Sequence, residues 1–166
     1  AGGMREYVPA LAREALAALS KRWNFTPTGP ILIEMFPRHD DFAVRTLGLP
    51  GMLGALGACF GKVVTLDSPK ARPPGSFNRG VPLWHEMAHV ITLQLSNQRV
   101  PRWLTEGIST FEEKRARDEW GRYSLAVQRG RLVKASASSG PRSASGVLAM
   151  VSLIVSRGAR AVLAPI

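Results

Sequence analysis

Two histidines with a glutamate between them, His85, Glu86 and His89, are the residues best placed to do chemistry. They lie in the stretch LWHEMAHVITLQL, residues 83–95. Histidines at i and i+4 leave a helix on one face, one turn apart, so two neutral imidazoles can share one metal ion. Glu86 points about a third of a turn aside. It is placed to reach a water on that ion rather than the ion itself, and to act on its proton. The surrounding residues are apolar enough for a buried helix. Burying two histidines costs free energy unless something satisfies them, and a shared metal would.

Two histidines need a third protein ligand. Downstream lies PRWLTEGISTFEE, residues 101–113. Trp103, Leu104, Gly107, Ile108 and Phe111 form an apolar stripe at helical spacing, and Glu106 sits at the edge of that stripe. His89 lies about 9 Å before the end of the first helix near Leu95, and Glu106 roughly 7.5 Å into the second, at 1.5 Å per residue. An antiparallel helix pair joined by a short loop brings these depths level, so His85, His89 and Glu106 can converge. Taken alone, Glu106 reads better as an acid near a helix start, favoured by the helix dipole; the His85/His89 motif is what turns it into a ligand candidate.

Other elements must hold this pair of helices. The spacing of Leu11, Ala15, Leu16 and Leu19 predicts a helix over residues 4–22, closed by the breaker TPTGP. ILIEMF (31–36) reads as a strand, and PRHDDFAVRTLG as a turn into a short helix ended by Gly48 and Pro50. GMLGALGACFG (51–61) is laced with glycine, which signals tight backbone approach or bulges. KVVTLD (62–67) reads as a second strand. The metal-like helix starts near Pro82, a proline suited to a first turn. His39, Asp40 and Asp41 read as a polar turn and helix cap rather than a second metal cluster. Trp84, Trp103 and Phe111 are expected in the core. Cys59 is expected to be a small buried apolar residue.

At 166 residues, with 45% hydrophobic and 20% charged residues, the chain can bury a real core. The single cysteine excludes an internal disulfide and leaves the compartment open. The net charge of +10 is unevenly spread: all 12 acids precede residue 121, whereas Lys and Arg continue to Arg160. The expected organisation is therefore a domain over 1–120 and a basic Ser/Ala/Gly/Arg-rich tail over 121–166. Arginine outnumbers lysine heavily, which fits compositional bias before it fits a nucleic-acid surface. Tyr123 is the tail's only aromatic residue, so a base-stacking platform is absent and nucleic acid is not expected as a partner. VLAMVSLIV (147–155) is too short to span a bilayer. The opening AGGMREYV is no signal peptide, so an export signal, if there is one, would lie upstream of Ala1.

WHEMAH followed by WLTEG resembles the gluzincin metallopeptidases, the thermolysin-like clan that includes the M1-type aminopeptidases. It looks most like the bacterial peptidase-MA-like domains found with tetratricopeptide repeats. The resemblance covers about residues 25–117, and the pair of motifs carries it. It implies an α+β, zincin-like fold, with a small mixed sheet and an edge strand packed on the H-E-x-x-H helix, then a glutamate-bearing helix. By motif match it implies one Zn2+ per chain on His85, His89 and Glu106, with Glu86 as general base. Peptide or protein substrate would lie along the edge strand, whose place KVVTLD would fill with Val63, Val64 and Thr65. An attached tetratricopeptide-repeat region in a longer bacterial protein is implied as well.

Some positions depart from the family pattern. Thr110 stands one turn after Glu106, where an acidic residue commonly steadies a histidine; a hydroxyl does so more weakly. Tyr123 is the only downstream tyrosine for an oxyanion donor. The M1-type Gly-rich motif with Met and Glu is not evident, since residues 51–61 contain Met52 but no acid. Two functions therefore compete: a zinc-dependent peptidase, endo- or amino-, and a catalytically inactive zincin-like scaffold beside repeat domains. Nucleic-acid association through the basic tail ranks behind both.

Overall fold

The computed structural model describes residues 2–51, 55–72 and 80–120, with side chains from Glu6 onward. The expectations placed on residues 121–166, Tyr123 included, lie outside the described residues. In chain order the elements are α1 (Gly2–Trp23), β1 (Leu32–Phe36), α2 (His39–Leu47), β2 (Gly57–Cys59), β3 (Val63–Asp67), α3 (Gly80–Leu95) and α4 (Arg102–Ala116). A single 3-10 turn, Pro69–Ala71, follows β3. The fold is α+β. Contacts divide the chain into two units, Ala1–Thr105 and Glu106–Ile166, and the division falls inside the continuous helix α4.

The first unit is built around a three-stranded mixed sheet in the order β1-β3-β2. β1 runs parallel to β3, and the crossover that a parallel pair requires contains α2. β2 runs antiparallel to β3. The sequence reading of 51–61 foresaw tight backbone approach but not this short strand, because GAC has little β-propensity and is defined by its partner. β3 was expected to be an edge. It is instead the central strand, with Val63, Val64 and Thr65 paired to Leu32, Ile33 and Glu34 on one side, and β2 on the other. Both of its hydrogen-bonding edges are taken, so β3 cannot accept an added strand.

Side chains alternate across a strand, so β3 serves two layers. Thr65 meets Thr46 of α2 at 3.0 Å between hydroxyl oxygens. Val64 and Leu66 therefore face the other way, towards α3, which packs on β2 and β3. Four of the five residues of β3 are buried, as befits a strand covered on both faces.

Helix α3 lies at the centre of this unit, against α1, β2 and β3. Leu11, Ala15 and Leu19 of α1 are buried at intervals of four, the stripe expected from sequence. Of α3, Val81, Leu83, Trp84, Met87, Ala88, Val90 and Ile91 are all buried. Each large side chain among them stabilises the fold by roughly 1.5–3 kcal/mol. Pro82 falls in the first turn, where its missing N–H costs nothing. The far end is held by Gln94, which accepts from the Thr28 backbone N–H at 2.9 Å and donates to the Gly61 carbonyl at 3.1 Å. Gly48 ends α2 in the left-handed conformation, φ 73°, and its N–H reaches the Val44 carbonyl.

α4 starts beneath the Pro101 carbonyl, which accepts from the N–H groups of Leu104 and Thr105. Trp103, expected in the core, is 51% exposed, and Phe111 is half-buried. The apolar stripe of α4 is narrower than its sequence suggests, with Leu104 and Ile108 as its buried members. In the second unit, Ser109, Glu112 and Glu113 are buried polar residues, and the Arg117 guanidinium lies 4.8 Å from the Trp120 ring centre. Among the described residues no helix is long and apolar enough to cross a membrane.

Candidate metal centre

The one-turn spacing of His85 and His89 on α3 brings their imidazoles together. Their ring centres are 4.7 Å apart and the two Nε2 atoms face each other at 3.0 Å. Two nitrogens bound tetrahedrally to one ion at 2.0–2.1 Å would stand about 3.3 Å apart. The separation found therefore suits a shared ion with only a small adjustment.

Glu106 joins them. Ligand atoms of His85, His89 and Glu106 all lie within 4.8 Å of one another, and they are the only such group among the described residues. His89 is buried and the other two are half-buried. Glu106 follows Thr105 by one peptide bond in α4, and Thr105 is hydrogen-bonded to His89 at 2.7 Å. The matched depths inferred from helix rise thus hold at the level of atoms. A set of two imidazole nitrogens and one carboxylate oxygen is a donor set that zinc accepts.

Glu86, one residue on from His85, is 6% exposed. Its side chain extends over β2. A Cβ built on Gly57 would stand 2.7 Å from Glu86 Oε1 and 2.9 Å from its Cγ. Gly57 is therefore where the tight approach expected of the glycine-rich segment is realised. Cys59, two residues on and on the same face of β2, is half-buried. Burial pushes its thiol up to about 12.

The hydroxyl that His89 meets is that of Thr105, which sequence reasoning passed over. Thr105 in turn touches Thr92 of α3 at 2.6 Å. The helix-depth argument that levels Glu106 with His89 levels Thr105 with it too, and that was the available signal. Thr110, the position singled out from sequence, is buried one turn beyond Glu106. Val63, Val64 and Thr65 lie in the central strand rather than along an open edge.

His39, Asp40 and Asp41 separate in the fold. Arg38 binds Asp41 through both carboxylate oxygens, at 2.7 and 2.6 Å, and this hydrogen bonding holds Asp41 below the usual carboxylate range. His39 is not a surface cap. It is buried, and its Nδ1 lies 2.8 Å from Asp67 Oδ2 at the end of β3. Arg72 donates to the same carboxylate oxygen at 2.9 Å and to the Ala55 carbonyl.

Compared with family models, curated proteins and solved structures, the chain matches none. The site is therefore read from its own atoms.

Proposed function

We propose that the chain is a zinc-dependent peptide hydrolase of the gluzincin kind. The observation that carries this reading is the meeting of His85, His89 and Glu106 ligand atoms, with Glu86 beside them on α3. His85 and His89 would hold the ion through Nε2, and Glu106 through a carboxylate oxygen. Zinc so held supplies the Lewis acidity for carbonyl polarisation and for a water of near-neutral pKa.

The chain's own residues do the rest. Glu86 takes a proton from the attacking water and passes it to the departing amine. Its carboxylate lies over Gly57 of β2. β2 is an outer strand among the described residues, so its free edge is the natural place for an extended peptide to add by backbone pairing. That assigns to β2 the edge-strand role first expected of β3.

Glu86→Gln tests the assignment. It should retain zinc, measured by elemental mass spectrometry, while peptide-library cleavage falls by about 10²- to 10⁴-fold. Unchanged cleavage would overturn the role of Glu86. A zinc-loaded wild type that cleaves no peptide would instead favour the scaffold reading.

A further inference from the structure

We infer that Thr105 and Thr92 are positioning residues, a two-hydroxyl relay that fixes the tautomer of His89 and aims its Nε2 lone pair at the metal position. The inference deepens the metal-site reading and rests on it for its purpose, though not for its geometry. All three residues belong to the first unit.

The direction of the relay follows from what each atom can do. Thr92 Oγ1 lies 3.2 Å from the Ala88 carbonyl and 3.3 Å from the His89 carbonyl. Carbonyls only accept, so the Thr92 hydroxyl proton goes to them. Thr92 Oγ1 then has only lone pairs to offer Thr105, 2.6 Å away. The Thr105 proton must therefore point at Thr92. Its oxygen is left as an acceptor for His89 Nδ1 at 2.7 Å, so the imidazole proton sits on Nδ1. A neutral imidazole protonated at Nδ1 carries a bare lone pair on Nε2, the atom that faces His85 Nε2.

Burial makes this ordering firm. His89, Thr92 and Thr105 are 7%, 4% and 5% exposed, so water offers no easy alternative partner. Reversing one proton would leave two oxygens facing each other without a hydrogen between them. The relay also orients a histidine without adding charge, beside two carboxylates, Glu86 and Glu106, that already supply it. Thr92 stands three residues after His89 on the same helix, so α3 supplies both the candidate ligand and the end of its relay.

The test reads the tautomer directly. Histidine 15N shifts of the metal-free protein should show His89 protonated at Nδ1 and bare at Nε2. Thr105→Val should lose that preference and bind zinc about 10- to 100-fold more weakly in a chelator competition. Thr105→Ser should restore both readouts. A wild-type His89 ring protonated at Nε2 overturns the relay, and needs no variant to do so. So does a Thr105→Val protein that keeps the wild-type tautomer. If Thr105→Val does not fold, Thr92→Val decides by the same shift. A wild type with the expected tautomer that takes up no zinc supports the relay and overturns the metal reading, so the two failures are separable.

Discussion

The molecule buries histidine in two places and treats it differently in each. His39 begins α2 and meets Asp67 and Arg72, a carboxylate and a guanidinium from other segments of the same unit. His89 lies on α3 and meets the Thr105 hydroxyl on one side and another imidazole on the other. In the first cluster opposite charges close on each other, and Asp67 is fully buried to make the bond. In the second, the candidate ligand atoms of two histidines and a glutamate converge from two helices. The first arrangement holds strands and helices together. The second presents several donors to one point, and that is what a cation needs. Nearness to an acid does not distinguish the two histidines; convergence of ligand atoms does.

The largest break in that comparison is His85→Ala. Zinc content should fall from near one per chain to near zero by elemental mass spectrometry. Zinc at a hundredfold excess over its dissociation constant stabilises a binding protein by about 2.7 kcal/mol, so the wild type should melt higher with zinc added. His85→Ala should show no such rise. His39→Ala, where it folds, should show it in full, because His39 lies outside the converging set. Zinc uptake lost equally in both variants would erase the distinction between the two clusters.

Asp67→Ala attacks the other side. It removes the carboxylate shared by His39 and Arg72 in a buried setting, and breaking such a pair costs about 3–5 kcal/mol. Urea unfolding should show this as a lower midpoint, with zinc stoichiometry unchanged in the folded protein. An unchanged midpoint would mean that the contacts of Asp67 with His39 and Arg72 contribute nothing to stability.

These two clusters also mark what the sequence made legible. The metal-like triad was readable because its logic is local. The i, i+4 spacing of His85 and His89 fixes one face of one helix, and a short connection levels Glu106 with it. α1, β1, α2, β3 and both later helices were readable for the same reason, from periodicity and from breakers such as Gly48. Two kinds of feature were not. β2 has only three residues and exists through pairing with β3, so its sequence carries no pattern of its own. The contact between His39 and Asp67 joins residues 28 apart, and no local rule reaches that far. Trp103 misled for a related reason. Helical spacing placed it on the apolar stripe, but an aromatic at the rim of a stripe can turn outwards, and only the packing decides.

Gly57→Ala sharpens the comparison more gently, because it disturbs the candidate base and leaves the metal ligands intact. The added methyl would fall 2.7 Å from Glu86 Oε1 and 2.8 Å from Leu66 Cδ2. Both are too close, so both side chains, or β2 itself, must shift. Overpacking of this sort costs about 1–3 kcal/mol of stability. If Glu86 moves by about 1 Å, hydrolysis should fall on the order of a hundredfold with zinc retained. A variant with full activity would show that the contact with Gly57 does not position Glu86.

The smallest expected effect belongs to Cys59, which shares the α3 face of β2 with Gly57 but has no part in the proposed site. Burial holds its thiol protonated, with a pKa raised to about 12 in the folded chain against an ordinary 9.0. Between these values the unfolded chain releases a proton that the folded chain keeps. The unfolded state then binds fewer protons, so stability falls as pH rises through this window and is unaffected below it. Cys59→Ala should flatten that alkaline slope without changing zinc uptake at neutral pH. Labelling gives the same sign: at pH 8 a thiol-specific reagent should react slowly with the folded protein and quickly once urea unfolds it. Fast labelling of the folded chain would mean that β2 opens readily, and a strand that opens readily could not hold Gly57 against Glu86.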